Sequence, residues 1–364
     1  PMDNAQFLVF LAAIMRAVHK HAMVLRLGTL GAGNDHRLGA NEAPPAILSI
    51  FLGDQLSTII KCIADGKTTI EGEGNWEKCE MEVGVSTMPK LPRDISDRNR
   101  TSPFAFTGNK FEFRAVGSSS SIAPANFAIN SAVACALDDI ATEIEAAVTK
   151  SDDKDKARAF NKAVQSVLGK MFKEHMDIIF NGNGYSEEWQ QEAARRGLPN
   201  LKDTVSAVLH YSDPEVKEVF VSRGVLSERE LLARQEILLE TYIKAVHVET
   251  KLTQVMGRSV ILPVGLKWAG KLAETALAAR QMGGGEVETA YYERVRKHVA
   301  GLMDALDRRD AKHIELDNMT GVEARAIAAR EFLLPLMAEC RVHADALEGL
   351  VDDADWPLPK YNEM

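Results

Sequence analysis

Apolar and charged residues alternate in the stretch Asn109-Lys110-Phe111-Glu112-Phe113-Arg114-Ala115-Val116. Successive side chains of a β-strand point to opposite faces, so Phe111 and Phe113 share one face while Lys110, Glu112 and Arg114 share the other. We therefore predict a strand whose two aromatic rings are anchored in a core. On its opposite face a carboxylate and a guanidinium stand side by side.

Two further arginines, Arg98 and Arg100, lie just upstream, beyond a turn that contains proline and glycine. A carboxylate such as that of Glu112 can hold a hard cation, and arginines can clamp phosphate groups. Together these residues point to nucleotide-phosphate chemistry. The same pattern is also typical of a half-buried strand with a surface ion pair, and the pattern alone leaves both interpretations open.

The composition excludes several classes of protein. The chain has 364 residues, enough for one large domain or for two or three smaller ones. Its net charge of −9 argues against general nucleic-acid binding. No apolar run reaches the roughly 18 residues that a membrane helix needs. The cysteines show no metal-type spacing, so we expect reduced thiols in a cytoplasmic protein. They are Cys62, Cys79, Cys135 and Cys340.

The first part of the chain mixes helical patterns with short strands. Apolar spacing predicts a helix over Phe7–Leu25 and another over Asp54–Ala64, with a short strand at Ala46–Phe51. Between them lies a glycine-rich loop with charged residues, Gly28–Pro45. Such a loop is either a home for functional residues or a solvated connector. We expect an insertion at about residues 52–92.

The rest of the chain is helical in pattern. Ser227 and Glu230 form a capping box for the longest helix, about Glu228–Gly257, and Pro263 begins the next one. With two more helices they predict an antiparallel bundle. We expect no cluster of ligand-type residues on one face of this bundle. Glu240 and His247 can share a helix face two turns apart, but they lack the Glu-x-x-His spacing of di-iron sites and are interpreted as a polar seam.

Three short motifs, in this order, resemble those of the glutamine synthetases. The first is Gly33-Asn34-Asp35-His36-Arg37-Leu38-Gly39-Ala40-Asn41-Glu42-Ala43-Pro44, with its Arg-Leu and its Glu-Ala-Pro, and the second is Arg98-Asn99-Arg100-Thr101-Ser102. The third is Lys110-Phe111-Glu112-Phe113-Arg114, followed by Ala125-Asn126 and an apolar helix. The wording of the motifs, the insertion and the long helical C-terminal region resemble the bacterial type III form most.

The resemblance implies a role for each matching residue. Glu112 would bind one of the divalent ions, Mg²⁺ or Mn²⁺. Arg114 would contact the substrate glutamate and the phosphoryl group being transferred, and Arg37 would grip a carboxylate of glutamate. Arg100, together with Arg98, would hold the phosphates of ATP.

The implied reaction is the ATP-dependent ligation of ammonia to the γ-carboxylate of glutamate, through γ-glutamyl phosphate, to give glutamine. Glu42 would be a catalytic flap carboxylate that closes over the glutamate site and helps to take a proton from ammonium. The partners would be the small molecules glutamate, ATP and ammonium, without nucleic acid or membrane. The family also implies a cytoplasmic homo-oligomer assembled as a ring.

The sequence departs from the family pattern at several points. The interval from Arg37 to Glu42 is one residue shorter than in the commonest bacterial form. Ala105 stands where the second phosphate arginine is expected, and Lys110 or Arg98 are candidates to replace it. The family's N-terminal β-domain and its other metal-binding glutamates are missing, and the chain enters a helix almost at once. We therefore expect the later part of a longer protein, carrying about half of an active site.

These observations predict a predominantly helical α+β fold. Residues 1–150 would be the C-terminal part of a glutamine synthetase catalytic domain, with antiparallel strands and flanking helices. Residues 151–364 would form a helical bundle extension. Two other functions stay open: a related glutamate–amine ligase or guanidine kinase of the same fold, and a non-catalytic helical fragment for oligomerisation or regulation.

Overall fold

The computed structural model describes residues 4–38, 46–67, 80–81, 91–92 and 102–363. The chain divides into two compact units, Pro1–Gln235 and Glu236–Met364, called unit 1 and unit 2 below. The boundary predicted at residue 150 concerns the catalytic domain and its extension, and it stays a prediction. Most of the predicted insertion at 52–92 lies outside the described residues.

The described part of the chain is a predominantly helical α+β structure, as predicted. Short strands occur before residue 114, and the later elements are all helical. In chain order the elements are α1 (Ala5–Lys20), α2 (Ala22–Leu27), α3 (Ala32–Asp35), β1 (Ile50–Phe51), α4 (Gly53–Ala64), β2 (Glu80–Met81), β3 (Leu91–Pro92), β4 (Phe104–Phe106), β5 (Phe111–Phe113), α5 (Ala123–Thr149), α6 (Lys156–Glu174), α7 (Glu187–Arg195), α8 (Thr204–Val208), α9 (Pro214–Phe220), α10 (Glu228–Met256), α11 (Leu262–Gln281), α12 (Glu286–Asp317), α13 (Val322–Ala328) and α14 (Leu334–Glu348).

A small mixed sheet in unit 1 has the strand order β1-β4-β5. β1 runs parallel to β4, and β4 pairs with β5 in an antiparallel hairpin. The hairpin turn contains Gly108, whose φ of 93° lies in the left-handed region that favours glycine. A second, two-stranded pairing joins β2 to β3. The strand predicted at Ala46–Phe51 is confirmed only at its end, as β1.

The core of unit 1 lies where α1, α5 and α6 pack together, and it continues under the sheet. Arg16 of α1 ties these helices together because its two terminal nitrogens reach two carboxylates of α5, Asp139 at 2.8 Å and Glu143 at 3.2 Å. Lys170 of α6 contacts the same Glu143 at 2.9 Å. The end of α2 approaches α5 closely: a Cβ on Gly28 would lie 3.0 Å from that of Ala128.

Unit 2 is built from helices alone within its described residues. α11, α12 and α14 pack against one another around a core of buried aliphatic side chains. Most of that core comes from α12 and α14. Its best-buried members are Val295, Leu302, Ala305, Leu306 and Leu347.

The helix predicted at about Glu228–Gly257 is confirmed as α10, but it is not the longest helix described, because it has 29 residues and α12 has 32. A π-helical turn, Gly257–Ile261, joins α10 directly to α11, and Pro263 lies just after it. Proline lacks an N–H group and crowds a regular helix, so a wider turn before it lets the helix continue. Gly257 serves packing instead, because a Cβ there would lie 2.8 Å from Cδ1 of Leu306.

Two further observations concern the cysteines and the apolar character of the helices. Cys62, Cys135 and Cys340 are free thiols, while Cys79 lies outside the described residues. Within the described ranges, no helix has the length and apolar character needed to cross a membrane.

Candidate functional site

The β4–β5 hairpin presents the predicted pair Glu112 and Arg114. In the antiparallel register of β4 and β5, Phe104 lies opposite Phe113 and Phe106 lies opposite Phe111. The rings of Phe104 and Phe111 stack with centroids 5.5 Å apart, and both Phe111 and Phe113 pack against the core of unit 1. The predicted aromatic face is therefore confirmed. Glu112, between these rings in sequence, points to the other face.

Glu112 is held between two cations. Its Oε2 accepts hydrogen bonds from Nε of Arg114 at 3.1 Å and from Nη2 at 2.9 Å. Its Oε1 lies 3.4 Å from Nζ of Lys110. The hydrogen bond from Arg114 is the main cause that lowers the pKa of Glu112, so the carboxylate is ionised at neutral pH. The predicted ion pair is present, on a partly exposed surface.

A hard cation would find one oxygen-donor ligand at this place. The side chain of Glu112 is 36% exposed, so an ion could reach it from solvent. However, Glu112 belongs to no group of three or more potential ligand residues among those that the structure describes. A full coordination shell for Mg²⁺ therefore needs further ligands from outside these residues.

Ala105 lies directly opposite Glu112 across the hairpin. Facing residues of an antiparallel pair project to the same side of the sheet. An arginine at position 105 would thus have joined Glu112 on one face. Ala105 is instead fully buried, and it leaves Lys110 as the cation that faces the second carboxylate oxygen.

The side chain of Asn34 joins the first motif to the third. Asn34 is buried, and its Nδ2 donates to the backbone oxygens of Thr29 at 2.8 Å and Ala115 at 3.1 Å. Ala115 directly follows Arg114, and Arg37 lies three residues after Asn34 on the same short segment. The hydrogen bonds of one buried amide therefore fix the Arg37 segment to the end of the hairpin. The side chain of Arg37 itself is exposed.

Asp35 anchors the same segment on its other side. Its Oδ2 accepts the backbone N–H of Thr204 at 2.8 Å and its Oδ1 accepts the Thr204 hydroxyl at 2.7 Å. The Thr204 hydroxyl oxygen in turn accepts the N–H of Gly31 at 2.9 Å. Burial raises the pKa of Asp35 to about 6, against the opposing effect of these hydrogen bonds and of the nearby Arg26.

Comparison with known proteins finds similarity to one enzyme family. Residues 163–280 match the family model described as the glutamine synthetase C-terminal domain. The whole chain is 37% identical to a glutamine synthetase of Bacteroides fragilis (strain YCH46), and 38% identical to a type-3 glutamine synthetase of Dictyostelium discoideum. Over its whole length the chain is thus similar to part of each of these two proteins. It spans about half the length of these relatives, 50% and 49% respectively.

The predicted glutamine synthetase residues divide into two groups. Glu112 and Arg114 are in contact, and Arg37 lies on the segment that Asn34 fixes to them. The other three predicted residues fall outside the described part of the chain. They are Glu42, Arg98 and Arg100.

Sequence reasoning missed the residues that hold this candidate site in place. Asn34 and Asp35 stand inside the first motif, but their partners Ala115 and Thr204 are 81 and 169 residues away. No local pattern shows such pairings. The sequence did contain one signal. Asn and Asp residues beside glycines often have side chains that bond to backbone groups.

Proposed function

We propose that this chain supplies part of the active site of a glutamate–ammonia ligase, which makes glutamine from glutamate, ammonia and ATP. The observation that carries the proposal is the contact between Glu112 and Arg114 on a hairpin that a buried amide ties to the Arg37 segment. Its relatives, named glutamine synthetases, support it.

The chemistry explains why cationic groups are needed there. The γ-carboxylate of glutamate attacks the terminal phosphorus of ATP, and ADP leaves as the acyl phosphate forms. Ammonia then attacks the acyl carbon, phosphate leaves, and the surplus proton must be accepted by a base. Several anionic groups approach one another in the first step, so positive charge placed in advance lowers its barrier.

Each residue has a proposed part in these steps. Arg114 orients glutamate and offsets charge on the moving phosphoryl group, and Arg37 binds a glutamate carboxylate. Arg100 and Arg98 hold the phosphates of ATP. Glu112 would hold a divalent ion, Mg²⁺ or Mn²⁺, which when bound neutralises phosphate charge.

Glu42 is the proposed base of the second step. Ammonium is not nucleophilic until it loses a proton, and a carboxylate at the entrance both attracts the cation and accepts that proton. We also extend the proposal to a cytoplasmic homo-oligomer. Analytical ultracentrifugation checks the assembly, and a monomer at assay concentrations would contradict it.

The test compares two proteins. One is this chain, and the other joins it to the half of the Bacteroides fragilis relative that it does not match. Phosphate release is measured with Mg-ATP, glutamate and ammonium. Turnover by the joined protein, but not by this chain, supports the proposal. Turnover by the chain by itself would show that its own residues complete the site, and inactivity of a well-folded joined protein would overturn the proposal.

The choice of amine is tested in the same assay. Replacing ammonium by a polyamine or by a guanidine compound separates the ammonia ligase from a glutamate–amine ligase or a guanidine kinase. The ammonia ligase requires that ammonium be the best of these substrates.

A further inference from the structure

Three ligand-type side chains of unit 2 come together outside the site described above. His247 is on α10, while His313 and Asp317 are on α12. One ligand atom from each lies within 4.8 Å of the other two. Nδ1 of His247 is 4.0 Å and Nε2 of His313 is 3.6 Å from the Asp317 carboxylate.

The helices place these groups by simple geometry. His313 and Asp317 are four residues apart, so they occupy one face of α12, one turn from each other. His247 meets them because α10 is fixed against α12 nearby. Arg309, buried on α12 one turn before His313, donates to the backbone oxygen of Thr250, which lies three residues after His247 on α10.

The geometry departs from that of a simple hydrogen-bonded polar seam. The distances of 3.6 and 4.0 Å to Asp317 are too long for hydrogen bonds. The two imidazole rings are inclined by 32° with centroids 4.4 Å apart. Nδ1 of His313, the ring nitrogen other than the one near Asp317, is buried and has no hydrogen-bond partner among the described residues. The three side chains are therefore near one another but form no hydrogen bonds with one another.

We propose that His247, His313 and Asp317 bind one Zn²⁺ ion that clamps α10 to α12. Two imidazole nitrogens and a carboxylate are a donor set suited to zinc, with a water molecule in the fourth position. Ligand atoms around tetrahedral zinc are about 3.4 Å apart, so the side chains must close by roughly 1 Å. His247 is 32% and Asp317 50% exposed, which leaves them room to do so.

Positive groups around the site set its affinity. Nη2 of Arg325 lies 3.9 Å from the Asp317 carboxylate and competes with a cation for it. Lys251 and Arg309 add positive charge near His313. The site is thus selective for an ion that binds imidazole strongly, and Mg²⁺, which prefers oxygen donors, should not occupy it.

The experiment measures Zn²⁺ binding to the full chain by calorimetry, and Co²⁺ binding by visible absorption. We expect one equivalent of Zn²⁺, unaffected by excess Mg²⁺, and a rise in the thermal midpoint when Zn²⁺ is added. H313Q and D317N should each weaken binding by at least about tenfold and remove the Co²⁺ absorption bands.

The matched control is H298Q. His298 and His343 form another histidine pair in unit 2, with their Nδ1 atoms 3.2 Å apart, but they belong to no three-residue group of ligand-type side chains among those described. H298Q should bind Zn²⁺ like the unmodified chain. Because Asp317 is half exposed, D317N keeps the test valid if H313Q folds poorly. Absence of binding, or equal binding by D317N and the unmodified chain, would overturn the proposal.

Discussion

At the scale of single residues, Asp35 makes stability depend on pH. Its pKa is raised from 3.8 to about 6, mainly by burial. Between these values the folded state binds more protons than the unfolded state, so stability falls as pH rises through this window. The difference is about 3 kcal/mol, or roughly 6–12 °C in a unit of this size. D35N should therefore lose thermal stability relative to the unmodified chain as pH falls from 6 to 4, as measured by thermal unfolding. Parallel curves for the two proteins would show that Asp35 does not titrate in this window.

Substitution of Glu112 distinguishes a functional role of this residue from a structural one. It is exposed and its partners are surface cations, so E112Q should leave the thermal midpoint nearly unchanged. In the joined protein it should lower phosphate release by at least about 100-fold, because a divalent ion would lose a ligand. The control is E240Q, which removes another exposed carboxylate paired with a lysine, Lys244 at 3.2 Å. Equal activity of E112Q and E240Q would refute the assigned role of Glu112.

At the scale of elements, sequence patterns predicted correctly those features that depend on residues near in sequence. The alternation around Glu112 predicted both faces of β5, and Ser227 with Glu230 forms the predicted capping box, with hydrogen bonds of 2.8 and 3.3 Å. The patterns failed where a distant contact decides. α10 ends at Met256, next to the predicted Gly257, but a π-helical turn continues the chain there and Leu306 on another helix requires the small size of Gly257. His247 was interpreted as part of a polar seam because its two neighbours, His313 and Asp317, lie on a different helix, α12, which the local pattern does not show.

Two glycines of α11 test how closely helices pack in unit 2. A Cβ on Gly265 would lie 2.9 Å from Cγ2 of the stiff, buried Val299, whereas a Cβ on Gly270 meets nothing within 4 Å. Alanine is favoured over glycine in a helix by about 1 kcal/mol. G270A should therefore stabilise the chain by roughly 0.5–1 kcal/mol. G265A should destabilise it by about 1 kcal/mol once the strain of overpacking is included. Chemical denaturation measures both, and a gain in stability for G265A would contradict the close contact.

At the scale of the whole molecule, six histidines of the described residues lie in three neighbouring pairs. The pairs are His19 with His175, His247 with His313, and His298 with His343. Burial first, and repulsion by the neighbouring imidazole second, lower the pKa values of His175, His298 and His313. In unit 1, acid should therefore act against the folded state through His175, and this effect opposes that of Asp35.

His175 is the group through which acid should act on unit 1. Burial, helped by His19, Arg16 and Lys20, lowers its pKa from 6.5 to about 4. Between these values the unfolded state binds more protons than the folded state, so stability is lost as pH falls, by about 3 kcal/mol. Asp35 gains a similar amount over nearly the same window, so the unmodified unit should change little. H175Q should gain thermal stability relative to the unmodified chain as pH falls from 6.5 to 4, and D35N should lose it. The double variant should restore the flat profile, because each single variant uncovers the effect of the other residue. Thermal unfolding of the four proteins at pH 4, 5, 6 and 7 decides the matter, and shifts of the same sign in both single variants would rule out this balance.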